Sequence, residues 1–307
     1  MEGFMFNYDL LIQCANRLGC RFLKDEPMYK HTTFKIGGCA DLFIYVETMA
    51  QLQALLKVIN TNKIPFFVLG NGSNILVPDN GIRGCIIKLT GDFTKIKLLD
   101  DTTIECGAGA TLAKLCMVAL ENSLSGLEFA WGIPGCVGGA AFMNAGAYGG
   151  EMGDVLESCS HVTANGAIGK IDKEHLNLSY RKSAYTYNDN IITSIIVKLK
   201  KGEQTTIREY MDDFMARRKS KQPIEMPSAG SVFKRPEGNF AGTLIEQCGL
   251  KGEHIGGAMV SDKHAGFIVN TGNATCSDVV RLISLIQDRV KENTGVELEC
   301  EVKVIDI

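Results

Sequence analysis

A chain of 307 residues, 45% hydrophobic and 22% charged, can bury a large core in two or three domains and is ordinary for a globular protein. Its net charge of −3 gives no general attraction to nucleic acid, and no apolar run approaches the ~18 residues of a membrane span. Eleven scattered cysteines without a Cys-x-x-Cys, and five histidines without a His-Glu-x-x-His, exclude the usual zinc and iron–sulfur spacings and argue against a disulfide framework. The expectation is reduced thiols packed as small core residues, a cytosolic protein, and no metal.

The opening "MEGFMFNYDLLIQC" has acids and no cationic stretch before an apolar core, so it does not read as a signal peptide. A strand is expected at 42–46, then a helix in "TMAQLQALLKVIN". There Thr48 and Gln51 form a capping box, with Leu52, Leu55, Leu56 and Ile59 on one face. "FFVLGNGSNILV", 66–77, follows. It lacks the third glycine and following helix of a dinucleotide fingerprint and the Gly-Lys-Ser/Thr ending of a Walker loop. Ile75, Leu76 and Val77 read as a second strand halted by Pro78 and an Asp79-Asn80-Gly81 turn, which makes a strand–loop–strand cradle.

Further strands are expected at 65–69, 85–89, 158–164, 191–199 and 296–305. The last alternates Leu298, Cys300, Val302 and Val304 with Glu297, Glu299, Glu301 and Lys303. Helices are expected from Thr111 and from Ser277, the latter stopped at Gly295. Another is expected in "TTIREYMDDFMARRK", capped by Thr206 with Glu209 and striped with Ile207, Tyr210, Met211, Phe214 and Met215. The class is α+β, without repeats. Breaks near 80 and at "KGEQ", 201–204, suggest domains at 1–80, 81–202 and 203–307.

Five stretches could carry chemistry. "WGIPGCVGGAAFMNAGAYGGEMGD", 131–154, holds seven glycines between Trp131 and Gly150. Glycine lets a backbone approach a ligand or turn its N–H groups toward an anion, so the two Gly-rich loops could hold the phosphates of one large dinucleotide. Tight turns are the alternative. Arg181 sits among aromatics in "LNLSYRKSAYTY", suited to gripping a carboxylate or to a structural ion pair. Ser231 follows Ala229 and Gly230, small neighbours that leave a hydroxyl accessible or merely decorate a loop. The cations of "RRKSK", 217–221, exceed what a helix C-terminus needs and could bind a diphosphate. The row Glu297, Glu299 and Glu301 is a solvated face, unless cover at one end raises a carboxyl pKa.

Taken in order, "TTFKIGG", "LGNGSNILV", "GIPGCVGGAAFMNAGAYG", "SYRKSAY", "SAGSVFKRP", "AGTLIEQCGLKG", "HAGFIVN" and "LECEVKVI" resemble the bacterial UDP-N-acetylenolpyruvoylglucosamine reductases over nearly the whole chain. The resemblance implies a vanillyl-alcohol-oxidase-like fold: two α+β subdomains bind FAD and a C-terminal α+β domain binds substrate. It places Gly70, Asn71, Gly72, Ser73 and Asn74 on one side of the FAD diphosphate. On the other side it places Ile133, Pro134, Gly135, Gly138 and Gly139, with Asn144 and Gly146 further along. It also implies that NADPH reduces FAD and that hydride then passes to the enolpyruvyl double bond of UDP-N-acetylglucosamine enolpyruvate. By motif match Arg181 and Glu301 stabilise the enolate-like charge, Ser231 protonates carbon, and Arg218, Lys221 and Lys234 meet the substrate.

Two features depart from longer members. "YNDNIITSIIVKLKKGEQ" carries no tyrosine-bearing insertion, which is similar to a shorter subclass. The position after Val302, often Arg, is Lys303. An oxidase or dehydrogenase of the same fold on another substrate would keep both Gly-rich loops without needing Ser231 and Glu301. A non-catalytic flavin or sugar-nucleotide module would bind without turnover. The partners expected are small molecules, not nucleic acid or membrane.

Overall fold

The computed structural model describes Phe6 and residues 8–307, so the first part of "MEGFMFN", on which the leader reading rested, lies outside the described residues. The chain divides into two compact units, each drawn from three segments. The first comprises Met1–Lys24, Leu42–Gly70 and Gly84–Ala216; the second comprises Asp25–Asp41, Asn71–Arg83 and Arg217–Ile307.

In the first unit a five-stranded antiparallel sheet has the spatial order Ile168–Asp172, Leu156–Val162, Ile191–Lys198, Thr103–Gly107, Ile96–Leu98. A four-stranded sheet orders Phe22–Pro27, Cys39–Val46, Ile82–Leu89, Phe66–Val68, its last pair parallel. The helix Met49–Thr61 forms as expected. Thr48 Oγ1 accepts from Gln51 N at 3.3 Å and Gln51 Oε1 accepts from Thr48 N at 3.1 Å. Its Leu52, Leu55, Leu56 and Ile59 are buried in one core with Leu42, Ile44 and Val46. Each fully buried aliphatic side chain stabilises by about 1.5–3 kcal/mol. The helix expected from Thr111 runs Leu112–Glu121 on that cap.

The second unit has its own core and a four-stranded antiparallel sheet ordered Ser228–Ser231, Phe267–Asn270, Ala258–Val260, His254–Ile255. The helix Cys276–Thr294 ends where expected, at Gly295 in the left-handed conformation (φ 73°). It begins one residue before the expected Ser277, because Thr275 and Asp278 form the capping box. Asp79, from the turn after the cradle, also accepts from the amides of Cys276 (2.7 Å) and Ser277 (3.0 Å). Nearby, a Cβ on Gly38 would lie 2.3 Å from Asp79 O, so only glycine lets the "TTFKIGG" backbone pass this turn.

Two expectations are corrected. The helix of "TTIREYMDDFMARRK" spans Gln204–Lys221. Ile207 N already donates to Glu203 O, so Thr206 lies inside the first turn instead of capping it. Of the expected stripe, Ile207 and Met211 are buried and Tyr210 is 55% exposed. The strand expected at 296–305 reduces to Lys303–Val304, paired in parallel with Ile75–Leu76, and one bridge from Cys300 to Phe233. Leu298 and Val302 are buried as the alternation requires, but Val304 is exposed and Ile305 buried. The side-chain period therefore breaks where the backbone changes partner, from Val232 to Leu76.

All eleven cysteines are free and eight are buried. Burial pushes the Cys106 and Cys159 thiols up to about 12, which makes them inert packing groups. His161 is buried too; its Nδ1 lies 3.0 Å from Tyr185 Oη, and Tyr185 Oη donates to Cys159 O at 3.3 Å. Burial lowers the proton affinity of His161 below the usual 6.5.

Two tests follow from the packing. Asp79→Ala should cost about 1–2 kcal/mol, read as a lower urea midpoint at unchanged slope, because it strips two bonds from a helix N-terminus. The unfolded His161 protonates before the folded one, so its contribution is intact above about pH 6.5 and shrinks as pH falls below it. In urea titrations from pH 7.5 to 5.5, His161→Gln should flatten that decline, by at most about 1.4 kcal/mol per pH unit.

Candidate active site

The strand Phe66–Val68 delivers the first Gly-rich loop, and Leu69 N still pairs with Ile87 O at 2.9 Å. Lys88, on the neighbouring strand, donates through Nζ to Gly70 O. Burial lowers its pKa, against an opposing pull from Cys136. A Cβ on Gly70 would lie 3.5 Å from Cys136 Cβ, so the two Gly-rich loops approach at van der Waals distance here. Sequence reasoning missed Lys88, whose signal was only one cation in an apolar strand. Cys136 is 4% exposed and burial raises its thiol, which makes it a poor nucleophile.

Past Ile133 and Pro134, the second loop is drawn against residues 108–112. Gly135 O accepts from Leu112 N (3.0 Å), Val137 N donates to Ala110 O (2.8 Å) and Gly138 N to Ala108 O (2.8 Å). It then enters the short helix Val137–Phe142. The two glycines at its start differ in role. A Cβ on Gly138 would sit 2.8 Å from Ala108 Cβ, whereas one on Gly139 would meet nothing within 4 Å. Gly138 serves packing. Gly139 leaves an open lip of bare backbone, the surface a diphosphate needs to reach amide N–H groups.

In the same unit the strands Gly146–Ala147 and Gly150–Glu151 form a hairpin. Its Tyr148 (φ 53°) and Gly149 (φ 87°) both adopt the positive φ of a type I′ turn. The Tyr148 ring stacks on Phe214 at 4.8 Å. Arg181 occupies the tip of another tight turn, where Ser179 and Lys182 exchange backbone bonds of 3.1 Å. Its φ of 58° is strained for a non-glycine residue. The guanidinium donates to Gly146 O at 3.4 and 3.5 Å and lies 5.2 Å from the Tyr180 ring centre. Downstream, Ser183 Oγ donates to Phe142 O at 2.7 Å and Tyr185 is fully buried, so the rest of "SYRKSAY" anchors the turn.

The second unit brings Ser231 and Glu301 together with the rest of "GNGSN". Gly72 is at φ 61°; its O accepts from Thr33 N at 3.1 Å, and a Cβ there would collide with His31 O. Asn71 is exposed beside it. Ser231 ends its strand just after a register shift against Phe267–Asn270, with Gly230 at φ 79°. Such a bulge re-aims the following side chain. Ser231 Oγ donates to Phe233 O at 3.3 Å. Glu301 N donates to Val232 O (2.7 Å), and Glu301 O accepts from Asn74 Nδ2 (3.3 Å). Asn74 O in turn accepts from Lys303 N at 3.1 Å, a bond that Lys makes as well as Arg. A Cβ on Gly230 would be 4.0 Å from Ser73 O.

Sequence reasoning also missed His264 as a neighbour of Ser231. A Cβ on Gly266 would be 3.1 Å from His264 Nδ1 and 3.5 Å from Ser231 Oγ. Nδ1 accepts from Gly266 N (3.0 Å), and burial lowers the imidazole pKa, which favours the neutral ring. Of the cations expected to meet substrate, Arg218 donates to Gln222 Oε1 at 3.0 Å, Lys221 is exposed, and Lys234 pairs with Glu299. Glu297 pairs with Lys291 at 2.6 Å, so the row of three glutamates is not a bare cluster. Arg181 belongs to the first unit, and Ser231, Glu301 and the three cations to the second.

Residues 40–172 match the FAD binding domain family, and residues 222–305 match the C-terminal domain of UDP-N-acetylenolpyruvoylglucosamine reductase. A reductase of that name from Alkaliphilus oremlandii is 48% identical over 283 residues, covering 92% of this chain and 93% of its own. One from Clostridium botulinum is 50% identical over 285 residues, covering 92% of each. The crystal structure of the Thermus caldophilus enzyme superimposes with a TM-score of 0.80 at 38% identity, covering 94% of this chain and 99% of that one. A berberine bridge enzyme, at 16% identity and TM-score 0.51, shares only the fold, over 64% of this chain.

The bare lip at Gly139 fits the FAD that the matched domain implies. Gly139→Ala adds a methyl to open space in a helix, so it should raise the stability of the flavin-free protein by about 0.5–1 kcal/mol. Flavin retention, read by the ratio of visible to ultraviolet absorbance after gel filtration, should nevertheless fall. Unchanged retention would remove Gly139 from the cofactor site.

Proposed function

The chain belongs to the UDP-N-acetylenolpyruvoylglucosamine reductase family, and we propose that Arg181, Ser231 and Glu301 divide the catalytic work among them. The reaction is the NADPH-dependent reduction of the enolpyruvyl double bond of UDP-N-acetylglucosamine enolpyruvate, giving UDP-N-acetylmuramate for peptidoglycan synthesis. FAD, when bound, supplies the hydride relay that no side chain can provide. Gly70, Asn71, Gly72, Ser73 and Asn74 would hold its diphosphate from one loop, and Ile133, Pro134, Gly135 and Gly139 from the other, while Gly138 packs against Ala108. Asn144 and Gly146 would shape the segment beyond.

Addition of hydride to the terminal carbon of the enolpyruvyl group drives an electron pair toward its carboxylate. A fixed cation is worth most there, because charge develops on oxygens it already faces. Arg181 is suited to this: its fork is planar, permanently charged, and set on a strained turn. Glu301 in its acid form would share that oxyanion. The remaining carbon then takes a proton from Ser231 Oγ–H, which leaves an alkoxide to be reprotonated from solvent. The observation that carries this reading is the bulge at Gly230, which turns Ser231 while Val232 O holds the Glu301 backbone. Arg218, Lys221 and Lys234 supply cations for the nucleotide phosphates.

Helix Gln204–Lys221 follows closely on the strands Ile191–Lys198 and Lys200–Lys201, which supports placement in the shorter subclass without a tyrosine loop. The division into 1–80, 81–202 and 203–307 is kept as a proposal, supported at its last segment by the family match at 222–305. Free cysteines throughout support a reducing, cytoplasmic setting. Net charge of −3 offers nucleic acid no general attraction, and among the described residues no helix is long and apolar enough to cross a membrane.

Purified protein should be yellow, bleach anaerobically with NADPH, and recover its colour on adding the enolpyruvyl substrate. Bleaching without that recovery would favour an oxidase-like activity on another substrate. Ser231→Ala should leave bleaching intact while slowing recovery by about 10²-fold or more. Arg181→Lys should slow recovery by about 10²-fold despite the retained charge, because an ammonium cannot reproduce the fork. Equal loss of both half-reactions in either variant would mean a structural role.

A further inference from the structure

Asn144 stands at the end of the second Gly-rich loop, yet its side chain is not turned toward a ligand. It is 1% exposed. Oδ1 accepts from Gly153 N at 2.8 Å and Nδ2 donates to Ser179 O at 3.2 Å. The orientation of the amide is fixed by these partners, since one is an N–H and the other a carbonyl. The backbone at Asn144 is itself left-handed, with φ 44°. That conformation suits asparagine better than most residues.

Ser179 is the first residue of the turn that carries Arg181, and it exchanges two backbone bonds with Lys182. Asn144 therefore ties that turn to the loop two residues before Gly146, whose carbonyl receives the Arg181 guanidinium. The guanidinium and the backbone beneath it are held to one segment, Asn144–Gly146, by two separate links. We infer that Asn144 is the positioning residue of Arg181, linking the cofactor loop to the catalytic cation, and not a contact of the cofactor. The inference rests on the role proposed above for Arg181.

An aspartate at this position is nearly isosteric and keeps the bond from Gly153 N, but it sets a carboxylate oxygen against Ser179 O. A glycine keeps the left-handed backbone without strain and removes both side-chain bonds of Asn144. Together they separate lost side-chain bonding from misfolding. For holoenzyme of both Asn144→Asp and Asn144→Gly, flavin content and the rate of bleaching by NADPH should stay within about two-fold of wild type. Recovery by the enolpyruvyl substrate should slow by about 30-fold or more, through kcat more than KM, because a misplaced cation is lost mainly in the transition state.

Hydrogen exchange gives a readout independent of turnover. The Lys182 amide should exchange at least about ten-fold faster in both variants, while amides of the central strand Ile191–Lys198 keep their protection. Unchanged Lys182 protection would overturn the inference. Loss of flavin with the turn still protected would overturn it too, and would return Asn144 to the cofactor site. If wild-type enzyme itself fails to recover colour, the proposed reaction falls, and the exchange result still decides whether Asn144 holds the turn.

Discussion

Close backbone approach is the constraint on which the rest of the site depends. At Gly70 a Cβ would reach van der Waals contact with Cys136, and at Gly138 it would overlap Ala108. An anion between such loops can be met by amides only if no side chain stands in front of them. The glycines are therefore of two kinds. Some, like Gly138, let protein pack on protein; others, like Gly139, keep a surface open. Substitution separates the two kinds, because only the second tolerates a methyl in the flavin-free protein.

Each proposed catalytic group is held by backbone of its own unit. Arg181 sits on a strained turn clamped to Gly146 and Asn144, and Ser231 follows a bulge at Gly230. Glu301 is registered by Val232 and Asn74. Each proposed catalytic side chain springs from a backbone fixed by these bonds. Strain at φ 58° of Arg181 is tolerated because neighbouring hydrogen bonds over-determine the turn, whereas Gly230 takes φ 79° with no Cβ to clash.

The second unit shows why its motifs recur together. "TTFKIGG" and "HAGFIVN" lie more than two hundred positions apart, yet Asn270 Nδ2 donates to Phe34 O at 3.2 Å, and Thr33 Oγ1 donates to Ser228 O at 2.7 Å. Asp79 joins the turn after the cradle to the start of the last long helix. The polar residues in these motifs are spent on backbone groups that the core could not otherwise satisfy. Motif residues without chemistry thus fix the position of those with it.

Local order was legible in the sequence. The Thr48 capping box with its apolar stripe, the Gly295 stop and the strand–loop–strand cradle follow from interactions spanning a few residues, so their signals survive without tertiary context. The ordered motifs likewise named the family and its candidate residues. The sequence could not show that Asn144 turns inward, that Lys88 binds Gly70 O, or that His264 lies near Ser231, since those pairings close loops of ten to dozens of residues. The segment 296–305 marks the limit. Its alternation predicted a ladder, but which backbone groups pair depends on the distant chain beside it, and here Val232 and Leu76 divide it between them. Periodicity anticipated the burial of Leu298 and Val302 but not of Ile305; only the tertiary structure decides what each peptide bonds to, because that choice is made between segments remote in sequence.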